Sequence, residues 1–430
     1  MIVIAPRTGL RGRDPPRAAA WVAKWAAWFR PVLSGRAGKT RGPPASADTF
    51  VEFLDPRAAG AHVLAWRGLV GRALEPNVFL EPAFALAAAR RLRAGRPVFV
   101  VVWERSRSGG RGRMLGLWPV ESRARLRPGG VVRGWLHPYA TLGAPLLDAG
   151  RAADAADAIL DALRGRARRC AVLIPQAPRD GPTHRLLVSR AEATGRFCME
   201  LSAHKRAALR GGAEALPGDA LSAKRRKELA RLRRRLADLG EVSFGSAQAP
   251  EDVRRAAEDF IRLEAKGWKG ARGTAFLSDP ASAGFLRAAV EALAGEGGCR
   301  IDTLAVADRP VAMGIVLQSR DHAYFWKTAY DEGFARFSPG LQLAGELTRR
   351  QRAVPGLALT DSCAVPDHPM IDRVWPDRRE IADLFIALSP GPGRTARFAL
   401  RAERLRRAAR SWMRAWAKRA LAALGRGAKA

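Results

Sequence analysis

The segment Tyr324–Glu346, YFWKTAYDEGFARFSPGLQLAGE, holds the residues best spaced for chemistry. A strand-like run carries Trp326 to Tyr330, a polar loop with a glycine follows, and Ser338-Pro339-Gly340 opens a helical pattern. Ser338 is a helix-capping residue type, and Pro339 suits the first helical position, where the missing N–H costs nothing. Gly340 keeps side-chain bulk away from the free N–H groups of the first turn. A helix start of this kind at the end of a strand binds anions, with about 0.3–1 kcal/mol from the dipole alone. The pyrophosphate of a coenzyme A thioester would fit it; the same spacing also describes a helix that is merely well capped. Lys327, just upstream, either neutralises a phosphate or is simply solvated.

Further on, Asp361–Arg379 (DSCAVPDHPMIDRVWPDRR) gathers His368, four aspartates and several prolines into a loop. Histidine beside aspartate suggests a metal, but no spacing here matches a metal cage, and no metal is expected. His368 is either a base or a hydrogen-bonded structural residue. Trp268, beside Lys266 and Lys269, reads as the cap of a core.

The elements that must hold these residues are legible from periodicity. Phe79–Arg93 is helical, with Pro82 in its first turn, and is followed by strand-like runs at Pro97–Trp103 and Met114–Val120 around the connection SRSGGRGR. Val131–Leu136 is a third strand, Ala152–Arg164 a helix, and Ala171–Pro175 a short buried strand. In the second half Ser222 caps a helix that ends at Gly240, with Leu229, Leu232, Leu236 and Leu239 on its inner face. Glu241–Phe244 is a strand, and Pro250–Lys266 and Pro280–Leu293 are helices. Arg300–Ala307, Pro310–Gln318 and Ala323–Ala329 form a meander. A helix from Ser338 to about Arg352, a strand at Leu357–Thr360 and a helix at Arg378–Leu388 complete the series. Meander, helix and returning strand thus occur around 79–175 and again around 250–360. The fold class is α/β (α+β), read as two similar units side by side, with two unrelated domains as the alternative. The expected divisions are 1–48 (basic arm and linker), 49–200, 201–390 and 391–430 (helical tail).

Leu221–Gly240 (LSAKRRKELARLRRRLADLG), Leu263–Trp268 (LEAKGW), WKTAYDEGFARFSPG and the 361–379 loop together resemble the GNAT-superfamily acetyltransferases. More narrowly, they resemble the CelD-type group named after cellulose biosynthesis. The resemblance spans about residues 60–390 and is most specific from 221 to 379. It implies tandem GNAT-like units, each a mixed, mainly antiparallel sheet flanked by helices. It also implies an acetyl-CoA or other acyl-CoA co-substrate, with Ser338, Pro339 and Gly340 as contacts to its phosphates. The commoner Q/RxxGxG/A loop of that superfamily is replaced here by SPGLQLAG.

The implied reaction is amine attack on a thioester, which needs a positioned carbonyl and an outlet for the proton. Backbone N–H groups supply much of such catalysis, so no fixed triad is required. Candidate residues are Glu264, Tyr330, Asp331 and Asp361. Tyr330 would protonate the leaving thiolate, Asp331 or Asp361 would take the amine's proton, and the 361–379 loop would close over the acceptor. Each is equally an ordinary loop carboxylate or a half-buried tyrosine.

Of the net charge of +33, residues 1–47 carry +8 and residues 391–430 carry +11, so the middle is only mildly basic. Nucleic acid is therefore not an expected partner, except in one alternative. Fem-type aminoacyl transferases also pair GNAT-like units, and their donor is charged tRNA. A non-catalytic basic binding protein is the third reading. The eight Lys/Arg of residues 222–239 either form a solvated face or grip an anion. Residues 395–424 combine Phe398, Leu405, Trp412 and Trp416 with spaced arginines, a pattern that suits peripheral contact with an anionic membrane; packing on the body and fraying are the alternatives. Four scattered cysteines without a zinc spacing, an N-terminal apolar run too short for a secretory signal, and no run of about 20 apolar residues give a cytoplasmic expectation. The acceptor would be a small-molecule or glycan amine, possible products lying in polysaccharide or envelope biosynthesis.

Overall fold

A computed structural model describes residues 48–122, 130–166, 169–211, 223–391 and 393–427. The expected basic arm, residues 1–47, and the Ser222 cap lie outside them. The first half runs β1 (Thr49–Leu54), α1 (Pro56–Gly60), α2 (Val63–Arg72), α3 (Pro82–Arg91), β2 (Pro97–Arg105), β3 (Arg111–Glu121), β4 (Val131–Arg133) and β5 (Leu146–Leu147). It continues through α4 (Ala152–Arg164), β6 (Ala171–Pro178), α5 (Pro182–Ala193) and β7 (Arg196–Arg210). The second half is α6 (Ala223–Ala237), β8 (Val242–Ala247), α7 (Pro250–Lys266), α8 (Trp268–Ala271), α9 (Pro280–Ala294), β9 (Cys299–Val306), β10 (Arg309–Ser319) and β11 (His322–Tyr330). It closes with α10 (Pro339–Arg352), β12 (Leu359–Asp361), β13 (Asp377–Pro390) and α11 (Arg394–Gly427).

Local chemistry explains most of these limits. Ala307 and Asp308 take φ of 45° and 62°, the left-handed pair that a tight turn between twisted strands requires, so β9 and β10 form a hairpin. Helix α7 starts at Pro250 with Glu251 and Asp252 in its first turn, where acidic groups complement the dipole. Its apolar stripe, Val253, Ala257, Phe260 and Ile261, is buried against α9 and the meander. Asp279 caps α9 by accepting from the N–H groups of Ala281 and Ser282.

The sheets are mixed and mainly antiparallel, flanked by helices. One has four strands, in the order β1-β2-β3-β5; the other has nine, in the order β4-β6-β13-β7-β12-β11-β10-β9-β8. In the large sheet each half sends its last strand into the other half. β7 pairs with β12 of the second half, and β13 pairs with β6 of the first. β7 and β13 pair with each other between them. The boundary drawn at residues 200/201 falls inside β7.

One expected element is corrected. Arg378–Leu388 is not a helix but the core of strand β13, hydrogen-bonded on both edges. Its apolar run, with Leu384, Phe385, Ile386, Ala387 and Leu388 all buried, is covered on both faces and therefore lacks the alternation that marks a half-exposed strand.

Candidate functional site

Between β11 and β12 the sheet opens. The two strands pair in parallel through His322–Leu359, Ala323–Thr360 and Tyr324–Asp361, and there the pairing ends. Cys363 turns the chain away with φ of 54°, while β11 runs on to Tyr330. Opposite the split, Trp326 is an extra residue in the β10–β11 ladder, a bulge that twists β11 further from its neighbour. The Trp326 indole N–H donates to the Tyr139 carbonyl at 2.7 Å, fixing the bulge to a loop of the first half.

The wedge is a cleft of about 580 Å³, walled by residues 325–330 on one side and 362–371 on the other. A smaller hollow of about 270 Å³ lies at the start of α10 and shares Tyr330, Pro369 and Met370 with the cleft. Ser338, Pro339, Gly340 and Leu341 line this hollow together with Arg373. Pro339 has no N–H, and those of Leu341 and Gln342 already donate to the Ser338 carbonyl at 3.0 and 3.1 Å, which leaves the Gly340 N–H as the first-turn donor open to a ligand. A side chain at Gly340 would come 3.3 Å from Met370 Sδ and 3.7 Å from the Tyr330 ring, so the glycine leaves that space open. Phosphate oxygens fit such a cradle beside a guanidinium. Arg373 had no motif to signal it; only the fold brings the 361–379 loop to this helix.

Ser338 differs from its expected role. Its backbone is left-handed (φ 52°, ψ 52°) and its hydroxyl makes no capping bond; Gln342 Nε2 instead donates to the Phe337 carbonyl at 2.9 Å.

Of the candidate catalytic residues, Glu264 and Tyr330 line the cleft. Glu264 is buried, accepting from Lys269 Nζ at 2.7 Å and from the Phe276 N–H at 2.9 Å. Tyr330 stands where cleft and hollow meet. Asp331 turns away, accepting from Arg309 at 2.5 Å and from the Gly333 N–H at 2.9 Å, and lines neither space. Asp361 is fully buried beneath the split, bound to Arg206 Nη2 (2.6 Å), Arg379 Nη1 (2.9 Å) and the Cys363 N–H (2.9 Å). Burial would raise its pKa, but the two guanidiniums outweigh that and hold it below the ordinary carboxylate range. A carboxylate so committed is a poor proton acceptor; Asp361 braces the split.

Lys327 lies in the cleft, not in the hollow at α10. Its ammonium sits 5.1 Å from the ring centre of Tyr139, 5.6 Å from that of Trp326 and 6.0 Å from that of Phe276. Burial, reinforced by the Lys269 charge, lowers its pKa to about 8. His368 also lines the cleft, its Nδ1 accepting from the N–H groups of Met370 (3.3 Å) and Ile371 (3.4 Å). Burial lowers its pKa, against the opposing charge of Asp372. Trp268 does not cap a core: it is half exposed at the cleft, under Arg272 and Lys269.

The second half, with its meander, split strands and helix start, now has a match. Residues 223–362 match the acetyltransferase (GNAT) domain family. The matched segment contains β11, the start of α10 and Asp361, and ends where the cleft's second wall begins. No curated protein matches the chain in sequence. Among solved structures, the chain is similar to the C-terminal domain of a protein assigned as a lysylphosphatidylglycerol synthetase from Agrobacterium fabrum, at 14% identity and a TM-score of 0.47 over 80% of this chain and 96% of that one. It is also similar to FemX (12%, TM-score 0.46, 75% and 95%) and to a tandem GNAT protein from the clavulanic acid biosynthesis pathway (16%, TM-score 0.37, 79% and 99%). These likenesses are distant.

Proposed function

We propose that the cleft transfers an acyl group from coenzyme A to an amine. The observation that carries this reading is the end of the β11–β12 ladder at Tyr324 and Asp361, which opens a wedge leading past Tyr330 to the hollow at α10. The hollow takes the pyrophosphate, held by the Gly340 N–H at the positive end of α10 and by Arg373, while the free edge of β11 offers backbone N–H groups to the thioester oxygen. The amine enters the larger cleft. Its nitrogen attacks the carbonyl carbon, the new C–N bond forms as the C–S bond breaks, and the amine's proton passes to Glu264, which faces one ammonium, Lys269, where Asp361 faces two guanidiniums. Tyr330 protonates the departing sulfur. Asp331 and Asp361 have no part in the proton transfers.

The resemblance of residues 221–379 to CelD-type proteins supports an amino-sugar or envelope amine as acceptor. Four free cysteines support a reducing, cytoplasmic setting.

Calorimetric titration with acetyl-CoA tests the reading, followed by thiol release with glucosamine as acceptor. Wild type should bind, and Gly340→Glu should weaken binding at least about tenfold, equivalent to about 1.4 kcal/mol. Equal affinity in both proteins would overturn the site. Turnover that needs aminoacyl-tRNA and ignores coenzyme A would transfer the reading to Fem-type chemistry.

A further inference from the structure

The acyl-transfer reading leaves α11 without a role. This helix has 34 residues, so it extends about 50 Å at the usual rise per residue. One face is docked on the sheet: Ala396, Ala399 and Leu400 are buried there against Val131, Leu173 and Phe385. Glu403 seals that face, accepting from Arg133 Nη2 at 2.7 Å, while Arg407 reaches Asp383 at 2.8 Å.

The opposite face is apolar and uncovered. Phe398, Leu405 and Trp412 are spaced seven residues apart, and Trp416 follows four later. At about 100° per residue, these four side chains fall within one narrow sector, roughly half a turn from Ala396, Leu400 and Glu403. Their exposures are 61, 71, 69 and 63%, and Met413, at the sector's edge, is 53% exposed. Ten large apolar side chains are markedly exposed among the described residues, and these are five of them. Isolated exposed apolar residues need no explanation, but a continuous stripe does.

Charge selects the occupant. The helix carries eleven Lys/Arg against Glu403 alone, and Glu403 is already paired with the docked side. A second copy of the same face would bring like charge against like. A nucleic acid would satisfy the cations, but apolar side chains about 10 Å apart along a helix do not match stacked bases. Apolar side chains along the outer line, with exposed arginines such as Arg394 and Arg401 on its flank, match a surface that is oily below and anionic above. No helix among the described residues is long and apolar enough to cross a membrane.

We infer that α11 lies flat on an anionic lipid bilayer, its Phe398–Trp416 stripe in the acyl boundary and its arginines among the phosphates, holding the enzyme body at that surface. The full chain is sedimented with phosphatidylcholine vesicles, with and without phosphatidylglycerol. Binding is expected only with phosphatidylglycerol and should fall in high salt. The double variant Trp412→Ser/Trp416→Ser should partition at least about tenfold less, because two interfacial anchors are gone. Both positions are exposed, so its circular dichroism and its acetyl-CoA affinity should match wild type. That last readout separates this inference from the acyl-transfer reading, which can fail while membrane binding persists. Equal partitioning of variant and wild type, or no binding to either vesicle, would overturn the inference. So would light scattering that shows a wild-type dimer lost in the variant.

Discussion

Arg206 and Arg379 stand directly opposite each other across the β7–β13 ladder, like charges face to face in the interior. Such a pair is destabilising by itself. Asp361 accepts from both, and Glu75, from the first half, accepts from Arg379 at 3.0 Å. Although burial raises the Glu75 pKa against the pull of Arg379, with both carboxylates ionised the four charges cancel. They do so where the exchanged strands cross and where the β11–β12 split begins, so the brace of the cleft also joins the two halves.

Asp361→Asn should therefore act as a stability mutation. With two buried guanidiniums facing Glu75 alone, unfolding free energy should fall by about 3–5 kcal/mol, measured by urea titration at neutral pH. Because Asp361 is held below its ordinary pKa, its stabilising contribution is complete at neutral pH and is lost only as pH falls through the depressed value. Loss of turnover with unchanged stability would instead make Asp361 a reacting group.

Tyr330→Phe removes one hydroxyl where hollow and cleft meet. Acid catalysis by a positioned side chain contributes roughly 10²–10⁴-fold, so kcat for acetyl-CoA and glucosamine should fall by at least about 10²-fold while KM for acetyl-CoA stays near wild type. Urea unfolding should be unaltered. A kcat within about twofold of wild type would remove Tyr330 from the proton transfers.

Glu81 supplies a pH test remote from the cleft. It is buried beside a cavity of about 420 Å³ that Arg67, Glu296 and Arg320 also line. Burial, with the Glu296 charge adding to it, raises its pKa from 4.5 to about 7. Between those values the folded chain holds a proton that the unfolded chain has released, so stability falls as pH rises through that window. The loss amounts to about 3 kcal/mol by pH 8. Glu81→Gln should abolish that slope and be more stable than wild type at pH 8, with little difference at pH 4. Parallel stability curves for the two proteins from pH 4 to 8 would refute the shift.

Local chemistry was enough for much of this protein. The helix opened by Pro250 follows from residue types whose preferences act over a few positions. So does the Pro339-Gly340 helix start, and Glu264, Tyr330 and Gly340, candidates in the sequence, line the cleft or the hollow. Strand β13 was not legible: a strand buried on both faces loses its period of two, and Arg378–Leu388 looks the same as a buried helix until its partners, β6 and β7, are known. The exchange of last strands was hidden too, since pairing over some 200 residues leaves no trace in spacing. Tertiary structure alone reassigned Asp361 from candidate base to brace, because a carboxylate's basicity depends on the charges around it, and Arg206 and Arg379 arrive from distant strands. It likewise brought Arg373 to the hollow at α10 and set Lys327 against the rings of Tyr139 and Phe276. Sequence order determines which groups a chain carries and how each short segment folds; which groups share a low-dielectric interior is decided only when the segments pack.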